Sequence, residues 1–188
     1  MDARNLSIIR QSFANTVFTH KVHEVAAEKR EKDVMIVKVA NIVFVAAVLV
    51  LLILQSANSS NLIFSYLGSG VAVAEIIFLI IQLSFGFEQQ MILHKNSALK
   101  YMQLRDKYRA LITDIMNERD PHSDLISKRD LLQSEYQVIS DLSPQTGSTE
   151  YDEAQRRLNK AGVVGGEQFT WSDEEIDRFL PEELRLKK

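Results

Sequence analysis

One carboxylate stands alone in a long apolar stretch of the chain. Glu75 lies at the midpoint of the run 62–87, which contains no other charged residue. A carboxylate at the centre of a lipid bilayer costs about 3 kcal/mol or more, so it needs water, a partner or a proton. Carboxylates of this kind also line the paths of cations through channels. Glu75 is therefore the first candidate for a functional residue.

Glu75 belongs to a stripe of small and polar residues whose spacing alternates between three and four. The stripe consists of Ser65, Gly68, Ala72, Glu75, Leu79, Gln82 and Gly86, all of them small or polar except Leu79. A repeat of about 3.5 residues keeps one helix face turned toward the same side. In one interpretation several copies of the chain surround a narrow water path lined by this stripe. In a second, the small residues only allow helices to approach closely. In a third, Glu75 pairs with Lys38, because the helical rise places the two within about 5 Å in depth.

Cations alternate with tyrosines beyond this stretch. The members of this second candidate site are Lys100, Tyr101, Arg105, Tyr108 and Arg109, followed by Lys128 and Arg129. Cations beside aromatic rings can bind phosphates and stack bases, so the pattern is compatible with a site for a nucleotide or a short single-stranded oligonucleotide. The alternative is a solvated face held by ion pairs within the helix. The 15 basic and 19 acidic residues after Phe87 exclude a broad surface for nucleic acid.

The residue sets and motifs needed for disulfides, metal sites and common hydrolase mechanisms do not occur in the sequence. The chain has no Cys, which excludes disulfides and thiolate nucleophiles. His20 and His23 lie three positions apart, but no acidic or thiol ligand completes a set, so we predict no metal site and no cofactor. Neither Gly-x-Ser-x-Gly nor His-Glu-x-x-His occurs. We therefore predict no catalytic residue and no enzyme, since an intramembrane enzyme would require a catalytic partner for Glu75.

The distribution of charge predicts two membrane spans. The chain has 22 basic and 25 acidic residues, of which only Lys38 and Glu75 fall within 34–87. A polar loop, 55–61, divides this stretch into spans 34–54 and 62–87. As helices these measure roughly 31 and 39 Å, enough to cross a hydrocarbon core of about 30 Å. The alternative, a buried hairpin in a soluble core, is disfavoured because so short a chain could not cover both helices.

Basic residues predict the orientation of this hairpin. Residues 1–33 contain six Lys and Arg, the loop 55–61 contains none, and the 20 residues after Phe87 contain four. Positively charged segments stay on the cytoplasmic side. Both termini are therefore expected in the cytoplasm, with the hairpin in the inner membrane or plasma membrane. The first 33 residues have no apolar run and are not expected to be a secretory signal.

The remaining segments read as cytoplasmic helices. Segment 1–33 forms an amphipathic helix with its apolar residues at helical spacing, and segment 88–142 forms a helical hairpin. The first arm of that hairpin has a coiled-coil-like seam, continues the second span without a break and ends at Asp120–Pro121, and Ser123 caps the second arm. The seam consists of Tyr101, Leu104, Tyr108, Leu111 and Ile115.

Segment 143–188 holds short helices and a C-terminal docking tail. A turn at 143–147 precedes a helix over 149–160 that stops at Gly162, and 163–166 reads as a linker. Ser172 and Glu175 fit a capping box that opens a short apolar helix. No alternating strand pattern occurs, so the fold class is an all-α membrane protein: a two-helix transmembrane hairpin with a cytoplasmic helical bundle or collar.

This arrangement resembles the SLATT superfamily, the SMODS- and SLOG-associating two-transmembrane effector domains. The likeness covers residues 15–142: a helix, a hairpin with a very short outer loop, and a long helix with aromatic and basic residues around Tyr101, Arg105, Tyr108, Arg109 and Leu111. The resemblance implies an oligomeric pore-forming effector of bacterial conflict systems, encoded beside a nucleotidyltransferase or nucleotide sensor.

Within that superfamily, the stand-alone form is most similar to the Hailong anti-phage type. That resemblance implies a channel held closed by an oligonucleotide that the partner makes, whereas cyclic-nucleotide systems open their channel on binding the ligand. The tail after Leu142 is not accounted for by the resemblance.

The sequence thus favours a homo-oligomeric channel, a tetramer by preference, in contact with membrane lipid. The resemblance implies that its opening depolarises the cell and arrests growth, and that a nucleotide-derived ligand made by a partner nucleotidyltransferase gates it. The alternative is a membrane-anchored helical adaptor that tethers a partner without conducting ions.

Overall fold

Helices make up most of the part of the chain that the computed structural model describes, residues 3–58, 60–117, 122–159 and 170–186. A short 3₁₀ helix at Glu182–Leu184 follows the last α-helix. The α-helices are α1 (Ala3–Ala57), α2 (Ile63–Phe85), α3 (Phe87–Met116), α4 (His122–Leu142), α5 (Ser148–Arg157) and α6 (Asp173–Asp177). No strand occurs among those residues, which confirms the all-α prediction.

Helix α1 is one uninterrupted helix of 55 residues. The sequence predicted a segment boundary between residues 33 and 34, where the charges stop, but no helix end lies there. The reason is local. No Gly or Pro occurs between Ala3 and Ala57, and the charged stretch before Val34 supports a helix, with Arg30 lying 3.2 Å from Asp33 one turn away.

The chain divides into two compact units. The hairpin unit comprises residues 28–91, and the bundle unit comprises residues 1–27 with 92–188. Both α1 and α3 contribute residues to each unit.

The bundle unit packs the first half of α1 against α3, α4, α5 and α6 around one apolar core. The predicted seam of α3 is confirmed, because all five of its members are buried. The apolar face predicted for α1 is buried as well: Leu6, Ile9, Phe13, Val17, Phe18, Val22 and Val25. Helix α4 adds the buried Leu132 and Ile139.

The C-terminal segment 170–186 is anchored on the first turns of α1. Trp171 is buried, its indole Nε1 donates to Asn15 Oδ1 at 2.8 Å, and its backbone N–H donates to Gln11 Oε1 at 2.9 Å. Arg10, also buried, lies 2.6 Å from Asp177. The predicted capping box of Ser172 and Glu175 opens α6.

Several predicted boundaries fall in or near segments outside the described residues. Asp120–Pro121, the side chain of Ser123, the stop at Gly162 and the linker 163–166 lie outside them, as does Ser59 in the loop between the spans. Helix α5 covers most of the helix predicted over 149–160.

The second span ends at a backbone feature that the sequence analysis did not predict. Gly86, placed in the pore stripe, is the C-cap of α2 with φ +56° and ψ +35°, the left-handed region that glycine tolerates. Helix α3 then begins at Phe87. The expectation that the second span runs into the following helix without a break is therefore corrected to two helices that meet at Gly86.

Candidate functional site

The two helices of the hairpin unit meet along a seam with a period of 3.5 residues. From α1 it receives Val34, Val37, Asn41, Phe44, Val48, Leu51 and Gln55, all half-buried. Three contacts fix the register. Asn41 Nδ2 donates to Gln82 Oε1 at 2.9 Å, the rings of Phe44 and Phe78 lie 5.5 Å apart, and a methyl group added at Gly68 would lie 3.6 Å from Leu51 Cβ. A seam with this period is typical of coiled-coil packing.

The predicted pore stripe contributes most of its members to this seam. Gly68 is buried, and Ala72, Glu75, Gln82 and Gly86 are half-buried, whereas the remaining two members are exposed. The exposed pair is Ser65 and Leu79. Within one chain, therefore, the small and polar residues at Gly68 and Gln82 serve helix packing, and the open edge of the stripe lies at the exposed pair.

Glu75 sits in the seam without a partner of its own. In the described part of the chain it has neither a hydrogen bond nor an ion pair, and it lies 12 residues, roughly 18 Å, from the start of α2 at Ile63. The structure thus brings a carboxylate to mid-hairpin depth and leaves it without a counter-charge in its own chain.

The proposed pair of Lys38 with Glu75 is not formed. Lys38 Nζ instead lies 3.6 Å from Glu88 Oε1. The prediction set Leu54 level with Leu62, but the observed contacts place Lys38 at the level of about residue 84, nine residues or roughly 13 Å from Glu75. The correction follows from the register of the hairpin, because α1 extends three residues beyond Leu54.

The second candidate site is divided between the core and the surface. Tyr101 and Tyr108 are each 1% exposed, and burial raises the pKa of Tyr108 to about 12. A buried ring has no free face for a base, so the structure does not bring these tyrosines together with the cations as a stacking site.

The cations of this site lie at the surface, mostly beside carboxylates. Arg105 and Arg109 both contact Asp106, at 3.0 and 3.4 Å. Lys128 lies 3.5 Å from Asp114, and Arg129 lies 2.7 Å from Asp130. Lys100 is exposed and has no ion pair among the described residues. This arrangement matches the solvated, ion-paired face that was the alternative interpretation.

A histidine pair in the bundle unit escaped the sequence analysis. His23 Nδ1 lies 3.1 Å from His94 Nδ1, and the His23 ring stacks on Tyr101 with centroids 5.5 Å apart. His20 makes a separate bond of 2.8 Å between its Nδ1 and the carbonyl of Ala98. Burial, and after it the neighbouring histidines, lower the pKa of His23 to about 4.

In the described part of the chain, these histidines do not belong to a larger cluster of metal-binding side chains. Among the described residues no group of three or more His, Cys, Asp or Glu is placed to bind a metal ion. The pair is a hydrogen-bonded contact between α1 and α3, in which one ring donates and the other accepts. No sequence signal marks it, since 71 residues separate the partners.

Comparison with known proteins identifies a family for this chain. The family model described as SMODS and SLOG-associating 2TM effector domain family 4 matches residues 6–175. No curated protein and no solved structure matches. The match agrees with two helices long and apolar enough to cross a membrane, whose most apolar windows have no buried residue.

Proposed function

Because the chain belongs to the SMODS and SLOG-associating 2TM effector domain family 4, a family of two-transmembrane membrane proteins, we propose that it is a pore-forming effector of a bacterial antiviral defence system. Several copies, four in the favoured arrangement, assemble in the inner membrane with both termini in the cytoplasm. Opening of the pore depolarises the cell and arrests its growth.

The observation that carries this proposal is the unpaired Glu75. Each chain brings one half-buried carboxylate to mid-hairpin depth, and no described residue of the same chain offers a counter-charge. In hydrocarbon that placement costs about 3 kcal/mol for every copy. A water path between copies, reached over the exposed edge at Ser65 and Leu79, hydrates the carboxylate and favours cations.

The gate is operated by a nucleotide or a short single-stranded oligonucleotide from a partner nucleotidyltransferase. Its phosphates bind exposed cations of α3, with Lys100 the most available because the arginines already contact Asp106. Base stacking on Tyr101 and Tyr108 is dropped from the proposal, since both rings are buried. The ligand shifts the gate only if it binds the closed and open collars unequally, and closure by the ligand is the direction that the Hailong-type resemblance favours.

A second function, a membrane-anchored adaptor, is favoured by a different observation. Contacts between the two helices of one chain run along the hairpin seam, from Asn41–Gln82 at one end to Leu51–Gly68 at the other. A hairpin that satisfies its own packing can tether the bundle unit to the bilayer without any pore.

Planar-bilayer recording of the purified chain separates the two functions. A channel conducts, and replacing Glu75 by Gln lowers its cation-to-anion permeability ratio, because the only charge at that depth is lost. The matched control is Ile76→Leu, a neighbouring exposed position that should leave the ratio unchanged. No conductance with or without nucleotide or oligonucleotide, at protein densities that give assembled particles, supports the adaptor.

A further inference from the structure

A small cavity opens at the end of the hairpin unit where charge returns to the sequence. Its volume is about 150 Å³, and Val34, Val37, Gln82 and Phe87 form its walls. Lys38 and Glu88 stand among its lining residues. A space of this size holds a group of about six heavy atoms.

In a hairpin that crosses the bilayer, we expect this cavity to lie at the level of the lipid headgroups. Lys38 is the only charge between Val34 and the outer loop, and Glu88 is the first charge after α2. Charged side chains at these positions reach the interface between hydrocarbon and water. The cavity therefore has apolar walls toward the bilayer and charged groups at the depth of phosphate and amine groups.

The two charged groups hold each other only loosely. Lys38 Nζ and Glu88 Oε1 are 3.6 Å apart, beyond hydrogen-bond distance, and their side chains are 62% and 65% exposed. Each therefore keeps hydrogen-bonding capacity available for a further group. A cation and an anion side by side complement a zwitterion, in which a phosphate and an ammonium are separated by a two-carbon link.

The neighbouring stretch of α1 adds no net charge. Residues 28–33 contain three acidic and three basic side chains, in the order Glu28, Lys29, Arg30, Glu31, Lys32, Asp33. Recognition of anionic lipids typically uses clusters of four to eight Lys and Arg. This balanced stretch supplies no such cluster, so a neutral headgroup fits the site better than an anionic one.

We propose that this cavity binds the headgroup of phosphatidylethanolamine. The lipid ammonium donates hydrogen bonds to the Glu88 carboxylate, and the Lys38 ammonium donates to a lipid phosphate oxygen. Phosphatidylcholine presents the same charges, but its quaternary ammonium has no N–H to donate. Phosphatidylglycerol lacks the ammonium, and Glu88 repels its phosphate. The site is independent of whether the hairpin conducts.

Native mass spectrometry of the delipidated full chain in detergent tests the site. The chain is titrated with phosphatidylethanolamine, phosphatidylcholine and phosphatidylglycerol of identical acyl chains. We expect the ethanolamine lipid to be retained about threefold to fivefold more than either competitor, the range for partly exposed charged contacts. Glu88→Gln should remove this preference and raise retention of phosphatidylglycerol, because Lys38 then acts alone. Lys38→Ala should lower retention of all three lipids, because each of them presents a phosphate to Lys38.

Matched controls are Glu31→Gln and Lys32→Ala, which change the same charges at exposed positions outside the cavity lining. Both should keep the preference of the parent chain. Equal retention of the three lipids by the parent overturns the proposal. A preference for phosphatidylethanolamine that survives in Glu88→Gln, or is lost equally in Glu31→Gln, overturns it as well.

Discussion

Replacing Arg10 by alanine is expected to release the C-terminal segment 170–186 from α1. The guanidinium is 1% exposed and lies 2.6 Å from Asp177 Oδ1 and 3.5 Å from Asp173 Oδ1. It also donates at 3.4 Å to the backbone carbonyl of Leu184. One side chain thus connects the first turns of α1 to three points of the C-terminal segment.

The expected loss of stability follows from the burial of the ion pair between Arg10 and Asp177. Removing one partner of a fully buried ion pair costs about 3–5 kcal/mol. Asp177 is 20% exposed, so water partly replaces the lost contact, and we expect a cost of about 2–3 kcal/mol. Since 1.4 kcal/mol corresponds to a factor of ten, the released form becomes about 30- to 150-fold more populated.

The single tryptophan of the chain, Trp171, reports this release. It is 4% exposed and its backbone N–H is bonded to Gln11, so release should increase acrylamide quenching and speed exchange of that amide. Arg178→Ala, an exposed arginine in the same segment, is the control and should change neither signal. Unchanged quenching and exchange in Arg10→Ala would refute the anchoring role of Arg10.

Three further predictions concern stability. Because burial lowers the pKa of His23 to about 4, the unfolded chain binds an additional proton between pH 6.5 and 4. The free energy of unfolding should therefore fall over that window, by at most about 1.4 kcal/mol per pH unit. The His23→Phe variant should flatten this slope, and an unchanged slope would contradict the lowered pKa of His23. Gly86→Ala should lower stability by about 1–2 kcal/mol in thermal unfolding because of its left-handed backbone, whereas Gly70→Ala, with open space around it, should not; equal effects would argue against strain at the C-cap. Tyr108→Ala should cost about 3–5 kcal/mol in denaturant unfolding, against about 0.5 kcal/mol or less for Arg109→Ala, and a comparable cost for both would contradict the division between core and surface.

Much of the helical fold is predictable from the periodic spacing of apolar residues. The faces of α1 and α3 in the bundle unit were predicted residue by residue, because a spacing of three and four marks the side of a helix that leaves water. The two spans were found for a related reason: charge is excluded from hydrocarbon, so 34–87 stands out by composition alone.

The same periodicity does not indicate which helix packs against a given helix face. The stripe around Glu75 fits a pore between copies and a seam with α1 equally well, and the structure directs Gly68 and Gln82 to α1. The spacing of Tyr101 and Tyr108 fits a buried seam as well as a ligand site, and the burial of both rings excludes base stacking on them.

Contacts between residues far apart in the sequence are not predictable from local spacing. His23 and His94 are 71 residues apart, and Arg10 and Asp177 are 167 apart, so no local spacing indicates either pair. The helix break at Gly86 is different. A glycine following an apolar helix is a recognised signal for a left-handed C-cap, and the stripe assignment overlooked it.

The central claim is that several chains bring the stripe around Glu75 together around water. The chain has no Cys, so single cysteines can be introduced into α2 in reconstituted vesicles and treated in one sample with a membrane-impermeant thiol reagent and in another with a disulfide-forming oxidant. We predict fast modification and crosslinking between copies at Ser65→Cys and Leu79→Cys, and no reaction at Val73→Cys and Ile80→Cys. Reaction at neither pair, or only at the second, would contradict the claim.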